Sequence, residues 1–94
     1  MKTIELKTWP TFFQDVLDGV KSFELRYNDR DYQIGDILCL KEYRNDLNEY
    51  TGRFLNRQII YKVSSDKFEG LNKGYCILGL GVLPKDESLK QEKE

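Results

Sequence analysis

The chain has 94 residues, 39% of them hydrophobic, which is enough for one domain with one modest core and too little for two. Fifteen Lys and Arg against sixteen Asp and Glu give a net charge of -1, which excludes nucleic-acid binding through a general basic excess and leaves only a local patch for that purpose. There is no histidine, so Ser-His or Cys-His catalysis and a zinc site are excluded, and no metal or other cofactor is expected.

The start, MKTIELK, is charged and alternating, with no apolar run long enough for a signal peptide or a membrane span; a cytoplasmic protein without membrane contact is expected. In KTIELKT, Ile4 and Leu6 share one face and Thr3, Glu5 and Lys7 the other, which predicts a half-buried strand. The period then changes. In WPTFFQDVLDG and just beyond, Phe12, Phe13, Val16, Leu17 and Val20 recur at helical spacing, Pro10 suits a first turn, and Gly19 supplies a left-handed stop. A short amphipathic helix ending at Gly19 is predicted.

After the helix, Phe23 and Leu25 alternate with Ser22, Glu24 and Arg26, so a strand carries its charges on the face opposite its hydrophobes. That charged face is the solvated side of an ordinary strand or, if the sheet closes into a barrel, the wall of a cleft. The Lys21 ammonium, close behind Gly19, is placed either to complement the carbonyls at the helix end or to line that cleft. YNDRDYQIGD is rich in turn formers, Arg30 and Asp31 among them.

ILCLKEYR is apolar on both faces from Ile37 to Leu40, as expected of a central strand or a closed barrel. NDLNEYTG reads as a polar connection and RFLNRQIIYKV as a long strand with Ile59, Tyr61 and Val63 on one side, the two strands forming a hairpin. EGLNKG is a loop or a single turn. In YCILGLGVL, Gly79 and Gly81 strip one face of side chains, as in a tightly coiled strand or one closely approached by another backbone. Cys39 and Cys76 sit in apolar runs and are expected to be reduced core thiols.

From Pro84 the composition turns to PKDESLKQEKE, which predicts a domain over residues 1–83 and a charged, disordered tail over 84–94. The predicted fold is α+β, mainly β: about five strands in a small curved sheet or barrel, with one helix between the first two.

The stretch GVKSFELR resembles the Gly-x-Lys-x-x-Glu-x-Arg signature of ASCH domains, a branch of the PUA-like superfamily, with Gly19, Lys21, Glu24 and Arg26 at the matching positions. NDRDYQIGDILCLKEY, YTGR and GYCILGL resemble, in order, segments of a small, largely uncharacterised bacterial and phage family in that branch. The resemblance spans roughly Ile4 to Val82. It implies a PUA-like β-barrel with a cleft beside the helix-to-strand turn, in a superfamily that typically binds RNA or nucleotides. Lys21, Glu24 and Arg26 are then the ligand-binding residues, and Trp9 and Tyr27, nearest to them in sequence among the aromatics, are candidates for stacking on a base.

Some compact ASCH-like proteins are amide hydrolases of acylated cytidines, with a lysine at the position of Lys21 and a threonine where this chain has Glu24. The alternative that follows is a small amidohydrolase of a modified nucleoside, with Lys21 activating water or substrate and Glu24 as acid/base. A third reading is a protein-interaction accessory module in which the charged strand is inert.

Overall fold

The computed structural model describes residues 1–83; the charged segment from Pro84 onward, expected to be disordered, lies outside the described residues. The elements run β1 (Thr3–Thr8), α1 (Pro10–Leu17), β2 (Phe23–Tyr27), β3 (Ile37–Arg44), β4 (Glu49–Ser64) and β5 (Tyr75–Val82), with a short 3-10 turn at Ser65–Lys67. The domain is therefore mainly β, with five strands and one helix between the first two, as the alternation predicts.

The strand order is β1-β3-β4-β5-β2, with β1 parallel to β3 and the other pairs antiparallel. β3 is internal and its Leu38 and Leu40 are fully buried, in keeping with the unbroken apolar run ILCL. The sheet curls until its two edges, β1 and β2, approach each other. No backbone ladder joins them. Instead the Arg26 guanidinium donates to the Lys7 carbonyl at 2.9 Å and that of Arg30 to the Glu5 carbonyl at 2.8 Å. Two arginines thus staple the seam of a partly closed barrel, occupying edge carbonyls that would otherwise invite another strand.

Inside the curl, Ile4, Leu6, Leu38, Leu40, Leu55, Ile59, Cys76, Leu78 and Leu80 meet Phe13 and Val16 of α1. Each fully buried side chain of this size contributes roughly 1.5 to 3 kcal/mol. Tyr32 joins them at 1% exposure, a core plug in a segment that reads from sequence as turn. Burial pushes its phenol above the ordinary value. Asp36, another nominal turn former, is also buried and accepts hydrogen bonds from the Lys2 amide (2.9 Å), the Lys2 ammonium (2.9 Å) and the Gln33 amide (3.0 Å).

Three expectations need correction. The helix presents Phe13 and Val16 to the core, but Phe12 is 46% exposed and Val20 lies beyond the helix in solvent. Phe12 is about 100° around the helix from Phe13, so both cannot face the sheet. Second, Ile59, Tyr61 and Val63 do not share a face as a core row. The pairing of β4 with β5 shifts between Ile59 and Tyr61, which leaves Ile59 fully buried and turns both Ile60 and Tyr61 outward. The glycines of β5 make room for that bulge: a Cβ on Gly79 would stand 2.9 Å from Tyr61 Cβ, and one on Gly81 2.8 Å from Ile60 Cγ2. Neighbouring side chains rather than another backbone therefore explain the bare face. Third, β4 starts at Glu49, inside the predicted connection, because Tyr43 pairs with Tyr50 and Arg44 with Glu49, and the two tyrosine rings meet edge to face at 5.0 Å. The turn shrinks to the residues between, with Asn48 at φ 53.

Cys39 and Cys76 are buried free thiols, both held above the ordinary thiol range by burial. Among the described residues no helix is long and apolar enough to cross a membrane.

Candidate functional site

The helix-to-strand turn sets the site. The chain leaves α1 through Gly19 at φ 81, a left-handed conformation that glycine adopts without strain, and the backbone N–H groups of Val20 and Lys21 both donate to the Asp15 carbonyl at 3.0 Å. The helix end is thus capped by backbone, and the Lys21 ammonium is free to go elsewhere. It donates to Glu24 Oε2 at 2.9 Å and to the Phe23 carbonyl at 2.7 Å.

β2 then enters the sheet with its charges turned inward. Glu24 pairs with Leu78 and Arg26 with Cys76, so both charged side chains lie on the face that carries the core of β5. Glu24 is 4% exposed, whereas Phe23 and Leu25 are about half exposed on the outer face. The buried carboxylate is held on both oxygens, Oε2 by Lys21 and Oε1 by the Arg26 Nε at 2.9 Å. Burying a carboxylate is costly unless it is paired and hydrogen-bonded, and two cations meet that condition here. Lys21, Glu24 and Arg26 therefore converge in one continuous row.

The row forms part of the wall of an open cleft of about 580 Å³ between the end of β1, the start of α1 and β2. Trp9, Phe12, Phe23 and Leu25 supply its apolar lining. Trp9 and Phe12 stack with ring centroids 6.2 Å apart and planes 14° from parallel, and the Lys21 ammonium sits 5.0 Å from the Phe23 ring centroid and 5.7 Å from that of Phe12. The lysine is wedged between aromatic faces.

Of the five residues singled out from sequence, Lys21, Glu24, Arg26 and Trp9 line this cleft. Tyr27 does not. Its ring lies across Gly74, where a Cβ would come within 2.5 Å of it, and meets Tyr75 edge to face at 5.5 Å. It borders a neighbouring groove along the seam. Sequence proximity misled here because Tyr27 is the last residue of β2, where its ring packs on Gly74 and Tyr75 instead of turning back toward the cleft.

Five lining residues were missed: Lys7, Thr8, Phe12, Phe23 and Leu25. Thr8 is 3% exposed, and its hydroxyl is buried without a hydrogen-bond partner among the described residues. Its parity with Ile4 and Leu6 was the available signal that it points inward. At the far side of the helix Arg53 ties α1 to the sheet, donating to Glu42 Oε1 at 3.0 Å and Gln14 Oε1 at 3.1 Å while stacking on Phe13 at 4.8 Å. Burial pushes Glu42 up, but hydrogen bonds from Arg53 and Thr51 outweigh it and hold the carboxyl below its ordinary range. That cluster is a structural clamp. Among the described residues no group of three or more His, Cys, Asp or Glu side chains could hold a metal ion.

Fold and site together define a small, mainly β domain whose partly closed barrel carries an aromatic-lined cleft with an inward charged row. Residues 3–80 match the family described as a domain of unknown function (DUF3850), and the chain belongs to that family. No curated protein matches the chain.

Proposed function

We propose that this domain is an ASCH-type, PUA-like binding module for RNA or a nucleotide-like ligand, with the base held in the cleft of Trp9, Phe12, Lys21, Glu24 and Arg26. The observation that carries the reading is the inverted strand, which buries Glu24 and brings the partly buried Lys21 and Arg26 to an aromatic-lined cleft. After its bonds to Glu24 and Phe23, Lys21 retains an N–H, and Arg26 retains several of its five donors. These suit the carbonyl acceptors of a base edge, while Trp9 and Phe12 offer stacking faces. The Gly19, Lys21, Glu24 and Arg26 spacing supports the ASCH assignment, and the two buried thiols suit a reducing, cytoplasmic setting.

Binding is favoured over amide hydrolysis by the state of Glu24. Both of its oxygens are already engaged, Oε2 by Lys21 and Oε1 by Arg26, which leaves neither unengaged to meet a water or substrate in the cleft. A protein-interaction role draws on one observation of its own, the exposed apolar residues Ile60 and Tyr61 outside the cleft.

The test is calorimetric titration with the four ribonucleosides, an acylated cytidine and a short single-stranded RNA. Trp9→Ala, at an exposed position, should weaken binding about tenfold or more with little change in stability. Lys21→Ala should abolish it. Failure of every probe to bind overturns the reading, and turnover of the acylated cytidine that is lost in Glu24→Gln would install the hydrolase in its place.

A further inference from the structure

Beside the cleft lies a second concavity, a groove of about 520 Å³ along the seam between β1 and β2. Its charged lining is Lys7, Arg26, Arg30 and Lys41 against Glu5 and Asp29. Glu5 is already held by Lys41 at 3.2 Å. Arg30 spends one nitrogen on a backbone carbonyl, and Lys7, which makes no ion pair among the described residues, rests its ammonium 4.4 Å from the Tyr43 ring centroid. In a chain of net charge -1 this is a local surplus of cations, and it is placed where the two edge strands meet.

The groove and the cleft are not separate sites. Lys7 and Arg26 border both, and Arg26 links them physically, with its Nε on Glu24 in the cleft and its Nη2 on the Lys7 carbonyl at the seam. A molecule whose planar part occupies the cleft and which leaves it past Lys7 and Arg26 enters cationic surroundings. We infer that the seam groove is a phosphate subsite, and that the ligand class is a phosphorylated nucleotide unit, free or within a single strand, rather than a neutral nucleoside. This rests on the base-binding reading of the cleft and adds what the cleft alone does not specify. The two arginines, held on backbone carbonyls, are preorganised for phosphate oxygens, since their positions do not have to be ordered on binding.

The experiment compares each ribonucleoside with its 5′-monophosphate at low and moderate salt, the readout being the ratio of the two affinities. The ratio should favour the monophosphate by about tenfold or more at low salt and shrink as salt rises. Arg30→Gln should cut the ratio severalfold. Because Arg30 also staples the seam, Lys41→Gln serves as the second variant: its ammonium pairs with Glu5 and lies over the Tyr50 ring without bridging the two edge strands, and it should also lower the ratio. A 5′-phosphorylated tetranucleotide is the third arm. Tighter binding of the tetranucleotide than of the monophosphate assigns the phosphate to a strand, and the reverse to a free nucleotide. Equal affinity for nucleoside and monophosphate overturns the phosphate subsite and leaves the base cleft standing. No binding of any of them overturns both.

Discussion

β1 and β2 are the two edges of one sheet, and both alternate apolar with polar residues. They resolve that alternation in opposite ways. In β1, Ile4, Leu6 and Thr8 turn into the core and the charged Glu5 and Lys7 stay outside; in β2, Glu24 and Arg26 turn in while Phe23 and Leu25 are left about half exposed. Leaving two large side chains half in water forgoes roughly 1 to 2 kcal/mol each. Burying a carboxylate costs more still until Lys21 and Arg26 offset it. A strand that gives up burial on both counts departs from what stability alone would favour, and the proposed ligand cleft supplies a reason.

The largest expected effect tests whether the inward row is truly integrated. Glu24→Ala leaves Lys21 and Arg26 facing each other in a mostly buried position, and should destabilise the domain by about 3 kcal/mol in urea or thermal unfolding. Replacing all three charges by Met, Leu and Met should recover most of that loss, because the desolvation cost disappears with the charges. A loss under about 1 kcal/mol for Glu24→Ala would make the row a solvated strand face and remove the contrast with β1.

The next effect concerns how β1 is anchored at its start. Hydrogen bonds from the Lys2 ammonium and amide, with that from the Gln33 amide, lower the Asp36 carboxyl to about 2. Its folded value lies below its unfolded one, so the stabilisation is fully present above about pH 5 and is lost as pH falls toward 2. The total is about 2 kcal/mol. Asp36→Asn should lower stability at neutral pH and flatten the acid limb of a stability-against-pH curve. An unchanged acid limb would mean that β1 is held by its core residues alone.

The smallest effect is expected on the outer face of β2. Phe23→Ser and Leu25→Ser should each cost less than about 1 kcal/mol, because neither side chain is in the core cluster. A loss of 2 kcal/mol or more at either position would show that β2 packs its apolar face after all, and the inversion would be void.

Much of the architecture was legible because it depends on local rules. Gly19 stops the helix where a left-handed residue is needed, Ile37 to Leu40 form an internal strand because no polar side chain interrupts them, and the β3–β4 hairpin follows from two strand-like runs around a polar turn. The bulge at Ile60 was not legible, since it depends on glycines twenty residues away in β5 yielding space on the outer face. Nor was the burial of Tyr32 and Asp36, which turn chemistry alone assigns to solvent.

The candidate site divides along the same line. The residue types and spacing of Lys21, Glu24 and Arg26 come from the sequence by itself, as does their position after a helix stop. Tertiary structure alone decided that they face inward, that Phe12 joins Thr8 in completing the cleft, that Tyr27 belongs to the seam, and that Arg26 and Arg30 close the barrel. The physical reason is that alternation defines two faces of a strand without saying which is inside. That choice belongs to the strands and helix packed around it, whose contacts span the whole chain.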